Sequence, residues 1–119
     1  MKIKVCGLNN KTDLLSLSQL NIDFFGFIFY KKSPRYFFDN PVDLNKDLNS
    51  VGVFVNESIK KVTNIVESLS LKYVQLHGDE DVNYCNQIKK KCKVIKAFRI
   101  NKEINIDIIR KYYSCCDLI

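Results

Sequence analysis

Six short apolar runs divide the chain at nearly even intervals, and no other feature of the sequence constrains the fold so tightly. The runs begin near Ile3, Phe24, Val51, Tyr73, Val94 and Cys116, with starts 21, 27, 22, 21 and 22 residues apart. Most of the intervals between them carry a helical pattern. After Asn10, Lys11 and Thr12, apolar residues recur at Leu14, Leu15, Leu17 and Leu20. After Ser58 they fall at Ile59, Val62, Ile65, Val66 and Leu69, one face of a helix with Ser58 or Asn56 as its N-cap. Asp79 or Asp81 is placed to cap the next helix, whose face carries Val82, Cys85, Ile88 and Cys92. Asn105 or Asp107 opens a last one with Ile108, Ile109, Tyr112 and Tyr113. The interval from Asp39 to Ser50 is the weak one: Pro41 suits a helix start, but the apolar stripe is thin.

The runs themselves read as strands. Phe24 to Phe29 and Val51 to Val55 are continuously apolar apart from one glycine each, which suits strands covered on both faces. Strands alternating with helices at this spacing imply βαβ units and a parallel sheet. Two architectures fit, an open doubly wound sheet and a (β/α)8 barrel. A doubly wound nucleotide-binding fold would carry a glycine-rich turn after its first strand. The segment Cys6-Gly7-Leu8-Asn9-Asn10 has one glycine, so that motif is absent.

Composition narrows the function. At 119 residues and 46 % apolar content the chain has the size and core of one domain. No apolar run approaches the ~18 residues of a membrane span, and no signal segment follows Met1, so a cytoplasmic protein with no membrane partner is expected. The net charge of +6 comes from 16 Lys and only 3 Arg, and the lysines are scattered. Arginine is the residue favoured for gripping phosphate in a planar fork, so no nucleic-acid partner is expected. Lys, Asn and Ile make up about a third of the chain, a bias of the kind A/T-rich coding produces. Five cysteines without framework spacing read as free thiols in a reducing compartment. Cys85 and Cys92 share a helical face, and Cys115 and Cys116 lie in what reads as a buried strand. With no zinc-like cysteine spacing and a single His, no metal site is expected.

In either architecture, chemistry gathers at the carboxyl ends of the strands and in the loops that follow. That selects Cys6 and Gly7, then Lys31 to Arg35, Asn56, His77 to Glu80, and Arg99. By strand alternation Lys4 shares a face with Cys6, and Gln75 with His77. A thiol at a strand end acts as nucleophile or base where nearby positive charge favours its thiolate, and Lys4 is placed to supply that charge. Cys6 is otherwise a small core residue. His77 is either a substrate contact or a neutral imidazole orienting a loop. Arg35 is either a solvated surface residue or an anion clamp. Asp79 and Glu80 are expected to open a helix, where acids are favoured.

Five blocks carry a resemblance. They are Lys4-Val5-Cys6-Gly7-Leu8, the stretch from Gly26 to Tyr36 with Lys31-Lys32-Ser33-Pro34-Arg35, Val51 to Asn56, Val74 to Glu80, and Val94 to Arg99. In order and spacing they resemble the phosphoribosylanthranilate isomerase family over almost the whole chain. The resemblance implies a (β/α)8 TIM barrel, with residues 1–119 forming about five βα units and the start of strand six. It implies an isomerase of tryptophan biosynthesis that converts N-(5-phosphoribosyl)anthranilate, by an Amadori rearrangement, to 1-(2-carboxyphenylamino)-1-deoxyribulose 5-phosphate. Neither cofactor nor metal is implied. By motif match Cys6 would be the general base, Arg35 would hold the anthranilate carboxylate, and His77 would line the site.

The same resemblance places a general acid, an Asp ending strand six, a few residues beyond Ile119, and phosphate-binding loops after strands seven and eight. Asp117 is not at the position of that acid. A closed barrel at the spacing seen here needs roughly 180 residues or more. Turnover is therefore not expected of these 119 residues alone. Bare sheet edges and an uncovered inner face, with inward Lys4 and Lys96 short of counter-charge, imply low stability, self-association or a complementing C-terminal barrel part. The alternative to an isomerase is a non-catalytic remnant or half-barrel association module.

Overall fold

The computed structural model describes residues 1–100, 103 and 105–119. Five strands appear where the apolar runs place them: β1 (Lys4–Cys6), β2 (Phe24–Ile28), β3 (Ser50–Phe54), β4 (Tyr73–Leu76) and β5 (Lys93–Lys96). All neighbouring pairs are parallel and the spatial order is β1-β2-β3-β4-β5. This order decides between the two architectures. A doubly wound sheet reverses direction at a switch point, whereas right-handed crossovers advancing one way put every helix on the same face. The helices are α1 (Lys11–Ser18), α2 (Ile59–Leu69), α3 (Val82–Lys89) and α4 (Ile106–Arg110).

Alternation along the strands sorts the side chains into two sets. Phe25, Phe27, Phe54, Val74, Leu76 and Val94 pack against Leu14 of α1, Val62, Ile65 and Val66 of α2, and Cys85 and Ile88 of α3. The opposite, concave set holds Lys4, Cys6, Phe24, Gly26, Ile28, Val51, Val53, Tyr73 and Gln75, by the strand register. Phe24 and Tyr73, on strands separated by β3, lean together over it with ring centroids 5.1 Å apart, edge to face. They close the amino end of this face with an aromatic pair.

The weak interval after β2 holds no α-helix. A 3-10 turn at Phe37–Asp39 buries Phe37, and residues 40–49 run as irregular chain into β3. The expected helix at Pro41 is not formed because short polar side chains compete for the backbone there. The Asn45 Oδ1 accepts the Asp47 N–H at 3.0 Å and fixes a turn. The sixth run begins as expected on the free edge of β5: Leu118 bridges Ile95, and its carbonyl accepts the Lys96 N–H at 3.0 Å. Cys115 and Cys116, however, lie in and just after the turn following α4, both bonded through their N–H groups to the Tyr112 carbonyl, rather than in that strand. Among the described residues no helix is long and apolar enough to cross a membrane.

Candidate active site

The carboxyl end of β1 is built around two glycines. Cys6 faces Gly26 across the β1–β2 ladder. A Cβ placed on Gly26 would lie 2.9 Å from the Cys6 Sγ and 3.1 Å from the Lys4 Nζ. The thiol and the ammonium therefore share the space that any larger residue would fill. Gly7, at φ 85°, turns the chain back so that its own N–H and that of Leu8 both donate to the Gly26 carbonyl. Arg35 reaches in from the loop after β2, where the Ser33 Oγ accepts the Arg35 N–H at 3.1 Å. Its Nη1 donates to the Cys6 carbonyl at 3.0 Å and lies against the Gly7 Cα, 2.5 Å from where a Cβ would sit. The rest of the guanidinium fork faces solvent, where it is free to take a carboxylate.

Gly7→Ala is expected to cost about 1–2 kcal/mol, because an L side chain is strained at this φ. The clash with Nη1 adds little energy, since the end of Arg35 is flexible, but it detaches the guanidinium from the Cys6 carbonyl. Urea unfolding measures the cost, and an unshifted midpoint would contradict the strain.

A second cluster ties together the loops after β3, β4 and β5. Glu80 and Lys96 are both buried, and Lys96 Nζ lies 3.1 Å from Glu80 Oε2. Lys96 also donates to the carbonyl of Gly78 at 2.7 Å and to those of Leu76 and Ala97 at 3.3 Å. Glu80 accepts the N–H of Asn56 on Oε1 at 2.8 Å and of Gly78 on Oε2 at 3.0 Å. Asn56 adopts φ 49°, and its Oδ1 accepts the Asp79 N–H at 2.7 Å. The Tyr112 hydroxyl donates to the Glu80 carbonyl at 3.1 Å. The Tyr84 hydroxyl donates to the Glu57 carbonyl, and its pKa is pushed up to about 12, by burial first and then by Glu80 and Glu57.

Two expectations are corrected here. Glu80 does not open a helix; that role falls to Asp81, whose Oδ1 accepts the Tyr84 N–H at 2.7 Å. Lys96 does not point into the concave face. It pairs in register with Leu76, on the face the helices cover, and finds its counter-charge in Glu80 within the chain. One signal in the sequence was available: Lys96 shares strand parity with the core residue Val94, so it demands a buried partner.

Of the three singled-out residues, the structure joins Cys6 and Arg35. His77 continues β4 through its N–H to the Phe54 carbonyl at 2.9 Å, and its imidazole is exposed. It stands three strand positions from Cys6, about 14 Å along the sheet, so the two side chains do not meet. Asp117 sits at the opposite, amino end, where its Oδ2 accepts the Val94 N–H at 2.8 Å. A cleft of about 480 Å³ bordered by Leu71, Tyr73, Lys89 and Lys93 also opens at that end, away from the strand ends where barrels place their chemistry.

The cysteines sort differently from their spacing. Cys85, Cys115 and Cys116 are buried together, whereas Cys92 is half-buried just past α3, its thiol pushed up to about 11, mainly by burial. Within the group the Cys85 thiol is lowered, chiefly by the Cys116 thiol beside it. The Cys116 thiol is raised by Cys85 and by burial.

Comparison with known proteins places this arrangement. Residues 3–119 match the family model described as N-(5'-phosphoribosyl)anthranilate (PRA) isomerase. The N-(5'-phosphoribosyl)anthranilate isomerase of Trichlorobacter lovleyi is 37 % identical over 119 residues, covering 94 % of this chain and 56 % of that protein. The Thermotoga neapolitana enzyme is 39 % identical over 111 residues, covering 89 % and 54 %. The crystal structure of the Thermotoga maritima enzyme superposes with a TM-score of 0.87 at 32 % identity, over 99 % of this chain and 60 % of that one. Another isomerase structure, in complex with reduced 1-(o-carboxyphenylamino)-1-deoxyribulose 5-phosphate, gives a TM-score of 0.86 at 32 % identity, over 100 % of this chain and 66 % of that one. The chain thus spans a little over half the length of the curated relatives it matches. A parallel sheet in barrel order, Cys6 and Arg35 joined at its carboxyl edge, and a family match over residues 3–119 lead to one assignment: the chain belongs to the N-(5'-phosphoribosyl)anthranilate isomerase family.

Proposed function

We propose that this chain supplies the base and the carboxylate clamp of a phosphoribosylanthranilate isomerase, acting on N-(5'-phosphoribosyl)anthranilate without cofactor or metal. The observation that carries the reading is the contact of Arg35 Nη1 with the Cys6 carbonyl at 3.0 Å, which ties an anion fork to the residue bearing the thiol. Arg35 takes the anthranilate carboxylate in its planar fork and so fixes the aromatic end of the substrate. An acid from a further strand protonates the ribose ring oxygen and opens the sugar to an imine. The Cys6 thiolate then removes the proton from C2, and the resulting enolamine tautomerises to the ketone. Lys4, over the same glycine, offers positive charge beside the sulfur. His77 lines the far side of the mouth, and we assign it no proton transfer. The soluble, cytoplasmic setting of such a biosynthetic enzyme belongs to this reading.

Strands six to eight, with the acid and the phosphate loops, come in this reading from further polypeptide. A second copy would bring none of those strands, but self-association remains part of this reading: one of the similar Thermotoga maritima structures is of monomers derived from a dimeric isomerase. The test joins this chain to the C-terminal barrel part of the Thermotoga maritima enzyme and follows loss of substrate fluorescence. The joined barrel is expected to turn over, and the 119 residues alone are not. A joined barrel that folds and binds the product analogue but never consumes substrate would refute the assignment.

A further inference from the structure

Three of the five cysteines meet at a point in the core that the reaction above does not use. Cys85 comes from α3, and Cys115 and Cys116 from the turn after α4. Their exposures are 0, 0 and 8 %, and their Sγ atoms lie within 4.8 Å of one another, with Cys115 and Cys116 at 3.7 Å. Three sulfurs bonded to one atom at about 2.3 Å, the length of a zinc–thiolate bond, lie about 4 Å apart or slightly less. Converging on a single atom therefore asks for sub-ångström shifts.

Coordination number and charge select what that atom is. Among the described residues no His, Asp, Glu or further Cys joins the three, so the closed four-residue site of a structural divalent ion is not formed. Three thiolates around a monovalent ion would leave two negative charges in the core, and around a divalent ion one. The nearby cation, Lys96, is already paired with Glu80. A trivalent centre leaves no net charge. We propose that Cys85, Cys115 and Cys116 form a trithiol site for a trivalent thiophilic metalloid of the arsenite class.

The exchange balances without an oxidant. Three S–As bonds form, three As–O bonds of arsenous acid break, and each thiol proton leaves with a hydroxyl as water. Arsenic stays trivalent throughout. Cys116 gives the way in, since it borders a cleft with Tyr113, Asp117 and Leu118.

The experiment titrates the 119-residue chain anaerobically with sodium arsenite. One arsenic per chain is expected, with a mass gain of one arsenic less three hydrogens and loss of three reactive thiols. The thermal midpoint should rise with arsenite, because a preformed site binds the folded chain in preference to the unfolded one. Cys6→Ser/Cys92→Ser, which keeps only the three clustered thiols, should bind as the parent does. Cys116→Ser should lose more than about tenfold in affinity, the range that even outer-shell changes reach at such sites. No retained arsenic, an adduct through two thiols, a midpoint that falls, or tighter binding of zinc would each overturn the proposal, and the first would leave the cysteines as core packing.

Discussion

Lys96→Met should lower the unfolding free energy by about 3–5 kcal/mol, the cost of leaving a buried charge without its partner. Methionine keeps most of the length and apolar stem of lysine, so packing changes little. What is lost is the ammonium at 3.1 Å from Glu80 Oε2 and the hydrogen bonds to the carbonyls of Gly78, Leu76 and Ala97. Glu80 retains the N–H groups of Asn56 and Gly78, which soften the loss without replacing a full positive charge. The double variant Lys96→Met/Glu80→Gln removes both charges and should recover part of the stability, since a glutamine carbonyl still accepts one of those N–H groups. Denaturant unfolding of the two singles and the double measures the coupling. A Lys96→Met variant within about 1 kcal/mol of the parent would show that the pair is not buried as described. Against a typical total of about 5–15 kcal/mol the expected loss is large. It should also free the loop bearing His77, whose backbone lies between the anchored Leu76 and Gly78.

How far the sequence revealed this depends on the range of each interaction. The strand starts at Phe24 and Tyr73 coincide with the apolar runs, and Ser58 caps α2 through Lys61, because strand and cap signals lie within a few residues. The sheet order was reachable only through the resemblance, as periodicity alone fits both a barrel and a doubly wound sheet. Cys6 and Arg35 stood out by their places at strand ends, but their contact depends on Gly7, whose positive φ no periodicity reports. Glu80 was misplaced for a definite reason. An acid two residues before a helix reads as dipole stabilisation, and its true partner lies 16 residues on, across a strand crossing. The trithiol cluster was missed on the same grounds, since Cys85 meets Cys115 and Cys116 only after α3 and the turn following α4 pack together. The empty interval before β3 was half legible: the thin stripe warned of it, and Asn45 explains it.

Cys6→Ala, in a barrel completed with strands six to eight, should reduce kcat by about 10²–10⁴, the usual contribution of a positioned general base. Alanine leaves the β1 backbone in place, so the Cys6 carbonyl still holds Arg35 Nη1 and the proposed carboxylate clamp keeps its position. Substrate binding should therefore change little, and the loss should fall on kcat rather than KM. Arg35→Ala should show the converse, a raised KM, because it removes the proposed carboxylate fork and leaves the thiol beside Lys4. Cys6→Ser separates shape from acidity: it fills the same space over Gly26, but a hydroxyl gives up its proton far less readily than a thiol. Its rate should stay close to that of alanine rather than return to the parent value. Full kcat in Cys6→Ala would remove the base from this chain. The same fall in kcat and rise in KM from both variants would mean that Cys6 and Arg35 act only by holding the loop between them.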